Sequence, residues 1–284
     1  MKSKIENPWT KLNETTNYCS SEDLERIKSF NTQLKGNVDY LIDLDLIAEP
    51  FLGNKEANVV ILALNPGIYK KKKDTDKDEK DLYSDKDIFK KNIFKYHKDE
   101  AIGFPYYYLN PEYKDYPGNI WIEKKLKYLK IEFAKFKKFI PENVDVTKLS
   151  DEQKEAVCQV NKELSNKILY LQFFPYHSIK YKPIKKQGDN KYLSCQEYTF
   201  HLLAKAMERG ALIICFRSIR LWDEALKFID YEISLSKYEK GTLIQLKYPR
   251  NPILSEEWRN SKGKIILKGN MGKGELKKVV EALK

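Results

Sequence analysis

The sequence contains no apolar run long enough to cross a membrane. A transmembrane helix needs about 20 mainly apolar residues in succession, and the apolar runs here are much shorter. The opening residues, MKSKIENPWTKLN, also lack the apolar stretch of a secretory signal peptide. We therefore expect a protein that has no membrane partner and is located in the cytoplasm.

Paired cysteines and clustered histidines are missing as well. The 4 cysteines form no C-x-x-C pair, and only 3 histidines are present. Structural zinc and iron–sulfur sites need several Cys or His ligands at short, regular spacings. We therefore expect free thiols, no metal site and no cofactor.

Acidic residues are fewer than basic ones. The sequence has 41 Asp and Glu against 52 Lys and Arg, which leaves a formal net charge of +11. Clustered basic side chains replace the counterions condensed on phosphates, so this excess favours a nucleic-acid partner. However, the excess is mostly lysine, and an AT-rich genome also produces a composition rich in Lys, Ile and Asn. Charge by itself leaves both explanations open.

Four short apolar runs predict the strands of a sheet. They are residues 58–64 (NVVILAL), 167–174 (KILYLQFF), 211–216 (ALIICF) and 242–246 (TLIQL). Continuous apolar character is typical of strands that are buried on both faces in a parallel sheet. We therefore predict one α/β domain over residues 1–284, with three layers and a central four-stranded parallel sheet flanked by helices.

Helical patterns lie between and after these runs. Residues 121–140 carry apolar side chains at three- and four-residue steps, with lysines on the other face, which is typical of a helix packed on a core. Further helices are predicted at residues 194–209, 219–228 and 274–283. Two polar, highly charged segments, near residues 69–100 and 180–192, are expected to be surface insertions.

Polar turns follow three of the apolar runs. They are Asn65-Pro66-Gly67, residues 175–178 (PYHS) and residues 249–252 (PRNP). Because ligands of open α/β sheets bind at the carboxyl ends of the strands, we expect these turns to share one functional edge. Gly67 is expected to adopt a positive φ, and Asn65 to point its amide into the crevice. An ordinary strand-ending turn is the alternative.

Two of these turns, in their sequence context, resemble a known family. PFLG at residues 50–53, followed by a strand that ends in LNPG at residues 64–67, resembles the first motif of the uracil-DNA glycosylase superfamily. The closest likeness is to its mismatch-specific and single-strand-selective branches. YPRNP at residues 248–252, followed by Trp258, is similar to the closing motif of the single-strand-selective branch. The resemblance covers four patches between Pro50 and Trp258.

The resemblance implies roles for individual residues in a DNA glycosylase. Asn65, with the backbone of Pro66 and Gly67, would hold the hydrolytic water, and His177 is the histidine that could reach the same crevice. Gln172 stands where the family has an Asn that hydrogen-bonds the extruded base. A buried Gln that only caps backbone groups at a strand end is the alternative.

The resemblance also implies residues that contact the substrate. Phe104 or Tyr106 would stack on the base, although both rings could equally be core residues. Tyr176 and Ser178 would complete the substrate-binding group. The DNA-binding group would comprise phosphate contacts followed by an apolar wedge for the vacated stack: Lys247, Tyr248, Arg250, Asn251, Ile253 and Leu254.

One departure from the family leaves the activity open. The single-strand-selective branch has a His three residues before the Pro-Arg-Asn-Pro motif, where this sequence has Leu246. The resemblance implies a monomeric glycosylase that excises uracil or a modified pyrimidine, in repair or in defence against phage with modified DNA. The alternatives are a non-catalytic binder of DNA or of a modified base, and a hydrolase of free nucleotides or nucleosides.

Overall fold

A computed structural model of the chain describes residues 6–12, 18–34, 36–68, 87–145, 148–184, 191–230, 232–259 and 265–284. In these ranges the α-helices are α1 (Leu24–Gln33), α2 (Asp87–His97), α3 (Pro117–Phe136), α4 (Asp151–Lys167), α5 (Ser194–Glu208), α6 (Ile219–Ile229) and α7 (Glu275–Ala282). The strands are β1 (Phe51–Gly53), β2 (Val59–Ala63), β3 (Ile168–Gln172), β4 (Leu212–Cys215), β5 (Leu243–Gln245), β6 (Glu257–Arg259) and β7 (Ile265–Lys268).

The main sheet has five strands in the order β1-β3-β2-β4-β5. All four predicted strands are present and run parallel to one another. Every residue of β2, β3 and β4 is buried, as continuous apolar runs require. The expectation of a purely parallel, four-stranded sheet was wrong, because β1 pairs antiparallel with β3 at the edge. The sheet is therefore mixed, although mostly parallel.

Strand β1 was not predicted from the sequence because it is only three residues long and ends at a glycine with a positive φ. Gly53 has a φ of +93°, and a Cβ at this position would lie 1.9 Å from the Ile168 carbonyl oxygen. Only glycine tolerates both the backbone conformation and this close approach. The Ile168 carbonyl then accepts a hydrogen bond from Asn54 N at 3.1 Å, which fixes the edge strand against the start of β3.

Helices cover both faces of this sheet. Helix α3 packs against α4 and α7, while α5 packs against α6. On one face, Trp121 of α3 contacts Tyr170 of β3 and Phe216, which follows β4. On the other, Trp222 of α6 contacts Phe173, which follows β3. Successive side chains of a strand point to opposite faces, so the two helix groups form separate layers.

All four predicted helices are present near their expected positions, and the first of them differs from its prediction at both ends. Helix α3 begins at Pro117, and it ends at Phe136 rather than 140 because Lys138 adopts a left-handed φ of 60°. Helices α1, α2 and α4 were not predicted. A capping box at Ser150 and Gln153 begins α4, and this S-x-x-Q signal is visible in the sequence.

The charged segment near residues 69–100 is only partly described. Residues 69–86 lie outside the described residues, and residues 87–97 form α2. The side chains of Phe94 and His97 are 2% and 0% exposed. This part of the segment therefore belongs to the core, contrary to the expectation of a surface insertion. Of the segment near 180–192, residues 185–190 lie outside the described residues.

The cysteines are free thiols, as predicted. Cys19, Cys195 and Cys215 are buried, and Cys158 is exposed. Burial raises the pKa of Cys19 and of Cys215 to about 12, so neither thiol is a nucleophile at neutral pH. In the part of the chain that the structure describes, no helix is both long and apolar enough to span a bilayer.

Because His97 is buried, we expect the free energy of unfolding to decrease in acid. Burial lowers its pKa to about 3, with a smaller contribution from Lys55, against an ordinary value of 6.5. Between these values the unfolded chain binds more protons, so the free energy of unfolding falls as the pH falls from 6.5 towards 3. The expected slope is about 1.4 kcal/mol per pH unit.

Urea unfolding at a series of pH values would measure this slope, with His97→Phe as the comparison. The variant keeps an aromatic ring beside Trp9, which contacts His97, but removes the titrating group. We expect the unfolding free energy of the parent minus that of the variant to fall steadily as the pH is lowered from 6.5 towards 3. An unchanged difference across this pH range would contradict the assignment.

Candidate functional site

A cavity of about 350 Å³ opens at the carboxyl ends of β2, β3 and β4. Its wall at the strand ends consists of Asn65, Pro66, Gly67, Gln172, His177, Phe216 and Arg217. The chain leaves the central strand β2 for β3 on one side and later returns to β4 on the other. Ligands of open α/β sheets bind at such a switch point. The volume is at the lower end of the range for ligand pockets and suits one small ring-containing group.

The Asn65 side chain is held in one orientation at the edge of this cavity. Its Nδ2 atom donates to the Ser178 carbonyl oxygen at 3.1 Å and lies 3.2 Å from Ser178 Oγ. The same nitrogen donates to Pro66 O at 2.9 Å. No described residue donates a hydrogen bond to Asn65 Oδ1. The turns after β2 and β3 therefore share one edge, as expected, and Asn65 offers a fixed acceptor beside the cavity.

Gly67 differs from the expectation. It is not among the residues with positive φ, so the predicted left-handed conformation was wrong. A Cβ at Gly67 would meet no described atom within 4 Å. The backbone of the turn thus borders open space, and the glycine leaves that space unobstructed.

Gln172 ends β3 in the wall of the cavity and is 4% exposed. Its backbone N donates to Pro50 O at 3.1 Å, but its side-chain Oε1 has no hydrogen-bond partner among the described residues. A buried polar group without a partner costs about 1–3 kcal/mol. An amide that only capped the strand end would be satisfied, so the geometry favours a side chain that pairs with a ligand.

Aromatic rings form another part of the wall. Tyr106 is 1% exposed and lines the cavity, with its ring centroid 5.7 Å from that of Tyr170. Phe104 is partly exposed and is not part of the wall. Of the two predicted stacking residues, the structure therefore brings only Tyr106 to the site.

Three further aromatic residues of the wall were missed by the sequence analysis. Trp121, Tyr170 and Phe216 have ring centroids 6.2–6.3 Å apart. Tyr170 is two positions before Gln172 on β3, and residues two apart share one face of a strand. That period could have placed Tyr170 beside Gln172, whereas the position of Trp121 depends on how α3 packs.

Two residues of the turn after β3, Tyr176 and Ser178, were predicted to bind substrate, but neither lines the cavity. Tyr176 is 1% exposed and lies away from the cavity, where Cys19 Sγ and Ser20 N donate to its hydroxyl oxygen at 3.2 and 3.3 Å. Tyr176 is therefore a core residue in this structure rather than part of the substrate-binding group. Ser178 is also absent from the wall and lies behind Asn65, which it orients.

His177 lines the cavity, but both of its ring nitrogens face backbone carbonyls. Nδ1 lies 2.9 Å from Gly67 O, and Nε2 lies 3.0 Å from Ile47 O. A neutral imidazole can donate only one of these hydrogen bonds, whereas an imidazolium can donate both. This arrangement favours a positioning role for His177, which ties the turn after β2 to the segment before β1.

A buried carboxylate lies beside this histidine and was missed by the sequence analysis. Glu49 is 6% exposed, lines the cavity and has Oε1 3.5 Å from His177 Nε2. The Tyr108 hydroxyl donates a hydrogen bond to the same oxygen. A Cβ at Gly118 would lie 2.1 Å from the Tyr108 ring, so the absence of a side chain there makes room for this tyrosine. Nothing in the local sequence distinguishes Glu49 from an ordinary surface carboxylate.

The loop of residues 247–253 borders the cavity and is shaped by one buried amide. Asn270 is 0% exposed, accepts from Tyr248 N at 2.8 Å and donates to Asn251 O at 2.6 Å and Ile253 O at 3.0 Å. Lys247, Tyr248 and Arg250 are exposed. The predicted DNA-binding loop therefore presents three side chains to solvent on a fixed backbone.

Two of the predicted DNA contacts, one in this loop and one directly after it, are engaged by the protein itself. Leu254 is 0% exposed and its N donates to Lys125 O at 3.0 Å, so Leu254 does not fit the predicted wedge. Asn251 accepts from Lys125 Nζ at 2.8 Å through its side-chain oxygen, which competes with a phosphate contact. Ile253 is only partly buried.

Positive charge concentrates at the mouth of the cavity. Arg217 lines the cavity, is exposed and donates through Nε to Pro249 O at 2.7 Å. Burial lowers the pKa of Lys125, and the neighbouring charges of Arg217 and Lys124 lower it further. Mutual repulsion of this kind is relieved when an anion binds among the cations.

The wall thus combines acceptor groups, aromatic faces and a cationic mouth. Asn65, Gln172 and Glu49 provide oxygen acceptors, which suit a ring bearing N–H groups or a water molecule. Comparisons of the chain with family models, with curated proteins and with solved structures found no match.

Proposed function

We propose that this protein is a DNA glycosylase that hydrolyses the N-glycosidic bond of uracil or of a modified pyrimidine turned out of DNA. One observation carries the proposal. The buried Gln172 amide, which lacks a partner for Oε1, lies in the wall of a small aromatic cavity that Asn65 also lines. A pyrimidine edge would satisfy the amide, and the aromatic faces would stack on the ring.

The chemistry would proceed on an extruded nucleotide, because the glycosidic carbon is inaccessible within the base stack. Asn65 Oδ1 would hold the attacking water, since Nδ2 is already committed to Ser178. The bond between C1′ and the base would break towards an oxocarbenium-like sugar, and its electron pair would leave with the base. Preoriented polar groups are effective here because they need no reorganisation during the reaction.

The DNA backbone would lie across the mouth of the cavity. Arg217 lines the cavity and donates to Pro249 O at 2.7 Å and Arg250 O at 3.4 Å, in the loop that carries the exposed Tyr248 and Arg250. Cations at this position would contact the phosphates on either side of the extruded nucleotide. The apolar wedge would have to come from Ile253 or from another residue, because Leu254 is buried.

Membership of the uracil-DNA glycosylase superfamily is part of this proposal. Its support is the pair of motifs at residues 50–67 and 248–258, together with helices on both faces of a mostly parallel sheet. Excision of uracil would serve repair, and excision of a modified pyrimidine would serve defence against phage.

A non-catalytic binder of DNA or of a modified base is the second candidate. The position of the missing family histidine is occupied by Leu246, which is 3% exposed. An apolar, buried side chain there cannot donate a hydrogen bond to a departing base. This observation favours a protein that keeps the pocket without the chemistry.

An excision assay would separate the two candidates. Single-stranded and duplex oligonucleotides with one uracil, 5-hydroxymethyluracil or 5-hydroxymethylcytosine would be incubated with the protein and then cleaved with alkali at abasic sites. We expect strand cleavage for at least one base and none for the unmodified control. Tight binding of a modified oligonucleotide without any cleavage would support the binder instead.

The salt dependence of binding would test the cationic mouth. We expect the affinity for DNA to fall with a log–log slope of several units between low and moderate salt. Arg217→Gln should reduce this slope by about one unit, with Arg220→Gln as the control, since Arg220 lies exposed on α6 and pairs with Glu224 at 3.0 Å. Salt-independent binding would favour a hydrolase of free nucleotides or nucleosides.

A further inference from the structure

Two amide side chains of the cavity wall offer oxygen acceptors to a ligand. Gln172 Oε1 is buried without a partner among the described residues, so the hydrogen bond between this amide and Tyr170 comes from Nε2. Asn65 Nδ2 is likewise committed to Ser178, which leaves its Oδ1 atom. Both ring nitrogens of His177 face backbone carbonyls. A ligand that satisfies these oxygens therefore brings hydrogen-bond donors of its own.

The same wall carries a buried carboxylate. Glu49 lines the cavity, is 6% exposed and accepts a hydrogen bond from the Tyr108 hydroxyl. Burial raises the pKa of Tyr170, and Glu49 raises it further, by more than the positive charge of Arg217 lowers it. Burial also raises the pKa of Tyr106, with contributions from Tyr170 and then from Glu49. Beside Tyr170 the field of the carboxylate therefore outweighs that of the cationic mouth.

Aromatic rings line the cavity together with this carboxylate. The ring centroids of Trp121, Tyr170 and Phe216 are 6.2–6.3 Å apart, and all three side chains belong to the wall. The faces of aromatic rings attract cations, Trp most strongly, and groups of such rings recognise positively charged nitrogen. A flat ring with a positive charge would therefore be favoured both by these faces and by Glu49.

The chemistry of departure also favours a positively charged base. A neutral base leaves as an anion and needs a hydrogen-bond donor or a cation beside it. The buried Leu246 offers no such donor. A base that carries a fixed positive charge leaves as a neutral molecule, so it does not need one. An apolar side chain at position 246 is thus compatible with catalysis on that class of base.

We propose that the cavity binds, and the protein excises, a cytosine alkylated at ring nitrogen N3, which is a cation with an exocyclic amino group. This inference rests on the proposed glycosylase function and names its substrate class. The amino group would donate to Gln172 Oε1, and the charged ring would stack on the aromatic side chains. Glu49 would favour this cation over neutral bases. Uracil instead presents two carbonyl oxygens to a wall that offers oxygens.

The reaction needs one water molecule and no other reactant. The bond between C1′ and base nitrogen N1 breaks, and its electron pair goes to the base, whose positive charge is thereby neutralised. The water oxygen forms a new bond to C1′ and releases one proton to solvent. The products are an abasic sugar, a neutral alkylated cytosine and that proton.

The test adds single-stranded oligonucleotides with one 3-methylcytosine to the panel described above and measures the free base that is released. We expect kcat/KM for 3-methylcytosine to exceed that for uracil by about 10²–10³-fold, because a cation–π contact and a hydrogen bond to a charged group both distinguish the two bases. Ordinary cytosine carries the same amino group without the charge. Its release should be slower than that of 3-methylcytosine by at least about tenfold.

Glu49→Gln tests the contribution of the charge, with Glu152→Gln as the control. Gln at position 49 still accepts from the Tyr108 hydroxyl, and thermal unfolding would check that the fold is retained. The rate on 3-methylcytosine should fall more than the rate on uracil, so the preference should drop by at least about tenfold. Trp121→Leu removes a cation-binding ring at a partly exposed position and should lower the same preference. Glu152 is exposed in the first turn of α4, and its variant should keep the parent's preference.

The outcomes distinguish this inference from the function on which it rests. If the parent releases any neutral base as fast as 3-methylcytosine, or if Glu49→Gln and Trp121→Leu both keep the parent's preference, the substrate class is overturned while the glycosylase proposal stands. If the parent releases no base at all, the glycosylase proposal falls, and fluorescence anisotropy with the same oligonucleotides decides the recognition. At least about tenfold tighter binding of 3-methylcytosine than of uracil or cytosine would support a pocket for cationic bases, and equal binding would overturn it.

Discussion

Asn65→Ala should lower glycosylase turnover by about 10²–10³-fold, the loss observed when one preorganised polar group is removed from an active site. The side chain is held by Ser178 and borders the cavity, so its Oδ1 atom can fix a water before the reaction begins. Binding to undamaged DNA should change little, because the phosphate contacts lie at the mouth. Single-turnover excision and a filter-binding titration would measure the two effects.

Ser178→Ala provides the matched control for this variant. It removes the Oγ contact of Asn65 but leaves the bond from Nδ2 to the Ser178 carbonyl oxygen. The amide should stay in place, and turnover should fall far less than in Asn65→Ala. Equal losses in both variants, accompanied by equal losses in thermal stability, would assign Asn65 to the folding of the turn.

Gln172→Leu should abolish excision of the true substrate while the protein remains as stable as the parent or becomes more stable. The substitution keeps a similar volume and removes a buried oxygen that lacks a partner among the described residues, which offsets the loss of the hydrogen bond between the amide and Tyr170. Leaving a buried polar group unpaired is costly, so its removal should not destabilise the folded state. Thermal unfolding would measure the stability of the variant relative to the parent, and the excision assay would measure its loss of activity.

Gln172→Asn tests selectivity at the same position. The shorter side chain withdraws the amide and changes the depth of the pocket, and we expect the preference to shift towards plain uracil. A site built on hydrogen bonds rejects ligands that leave its buried groups unpaired. Unchanged relative rates for all bases, together with a stability loss in Gln172→Leu, would identify a structural amide at the strand end.

The strands were predictable because strands buried on both faces consist of consecutive apolar residues. A run such as residues 59–63 is apolar at every position, and only a strand covered on both faces needs such a run. Asn65 and Gln172 could be placed at the edge that borders the cavity for the same reason, since each ends or follows a run. The antiparallel β1 was not predictable, because three residues ending at Gly53 carry too little periodicity.

Residues of the polar turns were harder to place. Tyr176 and His177 are adjacent, and the sequence offers no reason why the histidine rather than the tyrosine should line the cavity. Contacts with distant segments decide which residue lines the cavity. Tyr176 accepts a hydrogen bond from Ser20 N, and His177 Nδ1 is hydrogen-bonded to Gly67 O, 110 positions away in the sequence. Leu254 was placed wrongly because its burial depends on the packing of the loop on α3.

By itself the sequence determined the class of fold, the four parallel strands and the edge at which polar groups gather. The tertiary structure decided which side chains form the cavity, including Glu49, Tyr108 and Arg217, and which ones are directed into the core. The physical reason is that periodicity encodes only which way a residue faces within its own element. The neighbours that it meets there are set by the crossover connections, which bring together residues from opposite ends of the chain.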